Sequence, residues 1–157
     1  MGGGSVSVAS SGVNSARANA RINVSGTPLV RKLGIKPDSR LGLIGAPHGF
    51  DATLGELPPG VGIRRRVGGQ PFDVIVAFFK RRAELERRLP ALVEGLDLAG
   101  GLWLAWPKRA SGVLTDLTDV EVRSLGLATG LVDNKVCALD QVWSGLRLVY
   151  RLRDRPR

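Results

Sequence analysis

The chain has 157 residues, 43% of them apolar, and a formal net charge of +9, which is enough material for one domain with a core of its own. It contains no run of about 18 uncharged apolar residues, so no transmembrane helix and no membrane partner are predicted. One cysteine, Cys137, excludes an internal disulfide framework and a cysteine-built zinc site, and one histidine, His48, excludes a histidine-rich metal site.

The positive charge is uneven. Arg17 and Arg21 lie near the start, and Arg151, Arg153, Arg155 and Arg157 stand against Asp154 at the end. Arginine-rich ends of this kind commonly keep a chain soluble. A nucleic-acid partner is the less favoured reading, because basic and aromatic residues are not interleaved and the binding would be non-specific and salt-sensitive. The opening MGGGSVSVASSG lacks the charged start and long apolar core of a secretory signal, so a cytoplasmic location is predicted. The sequence sets no oligomeric state.

In chain order, residues 1–25 are rich in Gly, Ser, Ala and Asn, which predicts a disordered tail. A single domain over 26–153 and a basic end over 154–157 follow. Thr27 is the predicted cap of a short helix with Pro28 in its first position. Leu29, Val30 and Leu33 give that helix one apolar side, and Gly34 supplies a left-handed stop. LGLIGA (41–46) reads as the first strand, broken by Pro47, His48 and Gly49, and 50–57 as two turns of helix before Pro58 and Pro59. Residues 61–67 form a strand carrying Arg64, Arg65 and Arg66; charge on both of its sides assigns it to a sheet edge.

Val74 to Phe79 is an apolar run with no polar alternation, as in a central parallel strand covered on both faces. Leu85, Leu89, Leu92, Val93 and Leu96 then form one helical face, with Pro90 predicting a kink or two short helices. Gly100 and Gly101 release the chain into a second apolar strand over 102–106, which Pro107 ends. Strand, helix and strand make a right-handed β-α-β unit. After a loop, Thr118 and Glu121 have capping-box spacing for a helix to about Thr129, stopped by Gly130. Strands over 132–140 and 146–152 with a short connection make an antiparallel pair. In the last strand Leu146, Leu148, Tyr150 and Leu152 share one face, and Arg147, Arg151 and Arg153 share the other with Val149.

The predicted fold is a Rossmann-like α/β three-layer sandwich. Its sheet of about six strands is mostly parallel, ends in an antiparallel hairpin, and has the order 2-1-3-4-6-5, numbering strands as they occur. This arrangement resembles the methyltransferase variant of the Rossmann fold. The last strand then lies inside the sheet, and its arginine side calls for a partly uncovered face.

The strings LVRKLGIKP (29–37), LIGAPHGF (43–50), RAELERRLPAL (82–92), WPKRASGVLTDLT (106–118) and GLVDNKVCALDQVWSGLRLV (130–149) are similar to those of an uncharacterised bacterial family of small proteins, a domain of unknown function. The resemblance spans about 27–152. It implies a bacterial, cytosolic, single-domain protein and transfers no catalytic residue.

Methyltransferase folds hold their cofactor with a glycine-rich turn after the first strand and a carboxylate ending the second. Here the first turn reads GAPHGF, with Pro47 where close backbone approach is needed, and the second strand runs into RRRVGG. A guanidinium cannot accept a hydrogen bond from ribose hydroxyls. No cofactor is therefore predicted, and S-adenosylmethionine-dependent methyl transfer is the alternative reading.

A ligand in an open α/β sheet binds beyond the carboxyl ends of the strands. Pro47 and His48, Lys80, Lys108, and Asp140 with Ser144 are assigned to loops at that edge. Lys80 and Lys108, with Arg81, Arg82 and Arg109, make the rim basic. Trp106 and Trp143 would wall it, and Ser111 and Gly112 would offer donors. That combination suits a small anionic or phosphorylated molecule. The plainer reading of the same residues is indoles in the core and cations in water. His48 acting as a base beside Ser111 or Asp140 is a weaker candidate. Cys137 reads as a core thiol, and Asp116, Asp119 and Glu121 as helix-start carboxylates. The expected function is a binding or regulatory module with no catalytic residue and no metal.

Overall fold

The apolar run at Phe72–Phe78 (β3) and the one at Leu96–Pro107 (β4) pair in parallel, joined by the helix Arg82–Glu94 (α3). The computed structural model describes residues 27–151; the predicted tail over 1–25 and the basic end over 154–157 lie outside them. The other strands are Arg40–Ile44 (β1), Gly62–Arg64 (β2), Val132–Ala138 (β5) and Trp143–Val149 (β6), and the sheet order is β2-β1-β3-β4-β6-β5. β2, β1, β3 and β4 are parallel, while β6 runs antiparallel to both β4 and β5. This is the predicted order, and β2 lies at the sheet edge as expected, though it is shorter than 61–67: it ends at Arg64, and Arg65 and Arg66 lie beyond it.

The helices Leu29–Leu33 (α1) and Phe50–Leu54 (α2) cover one face of the sheet; α3 and Asp119–Leu127 (α4) cover the other. Because side chains alternate along a strand, Val74, Val76 and Phe78 join the α1–α2 core, whereas Ile75, Ala77 and Phe79 join the α3–α4 core. Both sides of β3 are thus buried, which is why its sequence lacks a polar alternation. The indole of Trp103 is fully buried on the α1–α2 side and donates to the Leu33 carbonyl at 3.1 Å, tying α1 to the middle of the sheet.

Several boundaries differ from expectation. Pro28 precedes α1 as its cap residue and is not its first helical residue, while Gly34 takes the predicted left-handed stop at φ 83°. α2 ends at Leu54, short of Leu57. α3 continues through Pro90 as one helix. Both Pro90 and Glu86, whose carbonyl loses its donor, are exposed, so that carbonyl is open to solvent and the helix need not break. β4 begins at Leu96, with Gly100 and Gly101 inside it and a register shift opposite Phe72 to Val74. A Cβ at Gly100 would sit 2.8 Å from the Asp73 carbonyl oxygen, and one at Gly101 would sit 2.5 Å from the Arg147 guanidinium. The glycines are therefore close-approach positions within a strand. β6 begins at Trp143, earlier than 146, so the hairpin connection is only 139–142. Arg147 is half-buried beside Gly101 and opens onto a cavity of about 400 Å³ at the opposite end of the sheet from Pro107. That is the partly uncovered face its charge required. No helix among the described residues is long and apolar enough to cross a membrane.

Candidate functional site

β1, β3 and β4 deliver their carboxyl ends to one edge of the sheet, and β6 starts there because Pro107 pairs with Trp143. The four predicted loops therefore meet along a common edge. The two indoles do not share a wall, however. Trp106 faces the α3–α4 core, while Trp143 faces the α1–α2 core and packs edge-on to Phe78 with ring centroids 5.1 Å apart; Phe78 in turn packs on Phe50 at 4.8 Å. Trp106 is opposite Ser144 in the ladder and Trp143 opposite Pro107. One step of register puts neighbours on opposite faces.

On the α3–α4 side of this edge lies a cavity of about 700 Å³ lined by Trp106, Lys108, Arg109, Gly112, Ser144 and the outer residues Val113, Leu114 and Val136. It gathers four of the ten predicted site residues. Hydrogen bonds within the chain hold its frame. The Lys108 amide donates to the Val142 carbonyl at 2.7 Å, and its ammonium to the Asp140 carbonyl at 2.8 Å. One Asp140 carboxylate oxygen accepts from the amides of Val142 and Trp143, both at 2.8 Å, closing the hairpin turn. The Ser111 hydroxyl donates to the Lys108 carbonyl at 2.7 Å and accepts from the Val113 amide at 3.2 Å. Asp140 and Ser111 thus shape the loops. Neither lines the cavity, and a pairing of either with His48 has no support in these contacts.

Further along, Thr115 and Asp116 strap the cavity loop to the end of β3. The Thr115 hydroxyl donates to the Lys80 carbonyl at 2.6 Å, the Asp116 amide donates to the same carbonyl at 3.3 Å, and the Asp116 carboxylate accepts from the Arg82 amide at 2.7 Å, capping α3. Lys80 contributes its backbone here; its side chain is exposed and outside the cavity lining. Thr118 and Glu121 form the predicted capping box at the start of α4. The hydrogen bond from the Thr118 hydroxyl holds the Glu121 carboxyl below its ordinary range.

The half of the edge beyond β1 and β2 is different. Pro47 accepts from the Phe50 amide at 3.1 Å in a tight turn, His48 is exposed, and α2 has only five residues. Past the end of β2, Arg65 forms an ion pair with Asp51 of α2 at 2.8 Å, and its hydrogen bond holds the Asp51 carboxyl low. Pro47 and His48 line neither this pair nor the cavity. Cys137 is half-buried against the α1–α2 core, and burial pushes its thiol pKa up, as expected of a packing residue. Among the described residues no group of three His, Cys, Asp or Glu side chains is placed to hold a metal.

No protein-family profile matches the sequence, and no curated protein is similar to it in sequence. Solved structures do match in shape. An S-adenosylmethionine-dependent methyltransferase from Aquifex aeolicus superposes with a TM-score of 0.57 at 14% identity, over 76% of this chain and 86% of that one. DhpI in complex with SAH gives a TM-score of 0.57 at 10% identity, over 85% of each chain. Magnesium protoporphyrin IX methyltransferase from Synechocystis PCC 6803, with bound S-adenosylmethionine, gives 0.52 at 10% identity, over 78% of this chain and 74% of that one.

The residues present do not fit that cofactor. The end of β2, where a carboxylate would be offered to the ribose, carries Arg64 as its last residue and Arg65 just beyond it. The nearby carboxylate of Asp51 is already taken up by Arg65, and cationic side chains have no acceptor for a diol. At identities this low the likeness is one of fold alone. The chain carries the Rossmann-like sheet of S-adenosylmethionine-dependent methyltransferases.

Proposed function

We propose that this protein is a binding module built on a methyltransferase-like sheet, that it takes a small anionic or phosphorylated ligand in the cavity beside Trp106, and that it performs no methyl transfer. The observation supporting this reading is the sign of the cavity wall: Lys108 and Arg109 face a single acidic residue, Asp119. Arg109 offers a planar fork of donors suited to a phosphate or carboxylate. Among the described residues nothing pairs with its guanidinium. Lys108 spends one ammonium hydrogen on Asp140 and keeps two for a ligand. Ser144 adds a hydroxyl, and the bare backbone of Gly112, around which a Cβ would meet nothing within 4 Å, leaves room for the ligand to approach. Trp106 supplies an apolar floor that lowers the local dielectric and strengthens each of these contacts.

A second reading, an S-adenosylmethionine-dependent methyltransferase-like enzyme, is favoured by the fold likeness to structures holding S-adenosylmethionine or SAH. A thermal-shift comparison separates the two, because a ligand raises apparent stability by mass action. Methyl phosphate and a nucleoside monophosphate should raise the melting temperature saturably, Arg109→Ala should shift that rise to higher ligand concentration, and S-adenosylmethionine should leave the midpoint unchanged. A saturable rise with S-adenosylmethionine, together with none from the phosphates, would favour the enzyme.

A further inference from the structure

The mouth of the same cavity is apolar to a degree its basic wall does not explain. Leu114 is 91% exposed and Val136 51% exposed, and both line the cavity with the half-buried Val113. Free leucines on a surface are ordinary when scattered; three apolar side chains gathered at one opening are a contiguous patch, and such patches mark contact sites. Slackness of the loop does not account for the exposure of Leu114. Its neighbours are fastened on both sides, by the Ser111 turn and by the bonds of Thr115 and Asp116 to the end of β3 and the start of α3. Val136 is held in β5 opposite Leu146, on the sheet face that Trp106 occupies. The wall therefore has two chemically distinct parts: a cationic part at Lys108 and Arg109, and a hydrocarbon part at Val113, Leu114 and Val136.

We infer that the anion held here is the head of an amphiphile, a phosphate or carboxylate carrying a short aliphatic tail, with the tail lying along Leu114 and Val136. This rests on the anion-binding reading above and narrows it. A plain inorganic anion would leave the apolar mouth in water. A tail buries it, and each methylene removed from water contributes about 0.8 kcal/mol, a factor of about four in affinity.

The test is a calorimetric titration of the full chain with straight-chain alkyl phosphates from methyl to octyl, kept below their aggregation concentrations at fixed ionic strength. The dissociation constant should fall about fourfold per methylene over the first several members. Leu114→Ser combined with Val136→Ser should flatten that dependence, shrinking the ratio of methyl to octyl affinity. Arg109→Ala should weaken every member by a similar factor. Both Leu114 and Val136 are exposed, so the double variant keeps its core, and its melting curve checks this. Methyl phosphate binding with no dependence on chain length overturns the amphiphile while leaving the anion site standing. A chain-length dependence that survives the double variant also overturns it. Failure of every member, methyl phosphate included, removes the anion site itself.

Discussion

The two halves of the sheet's carboxyl edge are made of similar short loops and use their carboxylates differently. Beyond β1 and β2 one arginine of three meets a carboxylate directly: Arg65 pairs with Asp51 at 2.8 Å, while Arg64 and Arg66 form no ion pair among the described residues. Beyond β4 and β6 the carboxylates of Asp140 and Asp116 accept from two hairpin amides and from the first amide of α3, and neither forms an ion pair with Lys108 or Arg109. The ligand site proposed above lies on the β4–β6 side of the edge, where Lys108 and Arg109 share one cavity wall.

The strongest way to break this contrast is to remove what both halves stand on. Trp103→Ala deletes the largest fully buried side chain, which also donates to Leu33 and lies against Gly145 of β6. A loss of about 3–5 kcal/mol is expected in urea unfolding. Asp140→Ala acts on the open half alone, freeing two amides at a cost of about 1–3 kcal/mol and loosening the wall carrying Lys108. Asp140→Asn keeps an acceptor and should recover most of that stability, which a catalytic carboxylate would not predict for activity.

Smaller effects sharpen the comparison. Thr118→Ala breaks the capping box at the cavity's edge and should cost about 1 kcal/mol, read as a lowered melting temperature. Glu121 and Asp51 both have carboxyls held below their ordinary values. Their stabilisation is complete above the unfolded carboxyl range and disappears as pH falls through their lower folded values. Acid unfolding of Glu121→Gln should accordingly begin from a lower plateau and show a shallower fall below about pH 4. Arg65→Ala sits last: an exposed pair contributes little, so its unfolding midpoint should match the parent's.

The sheet order was legible because two apolar runs flanking a striped helix admit few connections. The edge position of β2 was legible because the strand runs into three arginines with no buried alternative, although only Arg64 lies within it. The alternation of β6 was legible, since Leu146, Leu148 and Tyr150 share the α3–α4 core as expected; what could not be read was where the strand begins, at Trp143 with the connection at 139–142 where composition suggested 141–145. Trp143 thereby belongs to the core with Phe50 and Phe78, away from Trp106. Asp140 and Ser111 looked like ligand groups because a sequence shows a polar side chain without its acceptor or donor. The one available clue was the amides two and three residues after Asp140, the spacing of an Asx turn. Val136 and Leu114 were missed because apolar residues in a strand and a loop give no sign that the fold leaves them uncovered.

If the proposed ligand site lies on the β4–β6 side of the edge, amide chemical-shift mapping will place it there. Titration with methyl phosphate should move resonances of 108–115 and Ser144 saturably, and S-adenosylmethionine should leave those of 45–53 in place. Saturable shifts over 45–53 with S-adenosylmethionine, and none over 108–115 with methyl phosphate, would contradict the account.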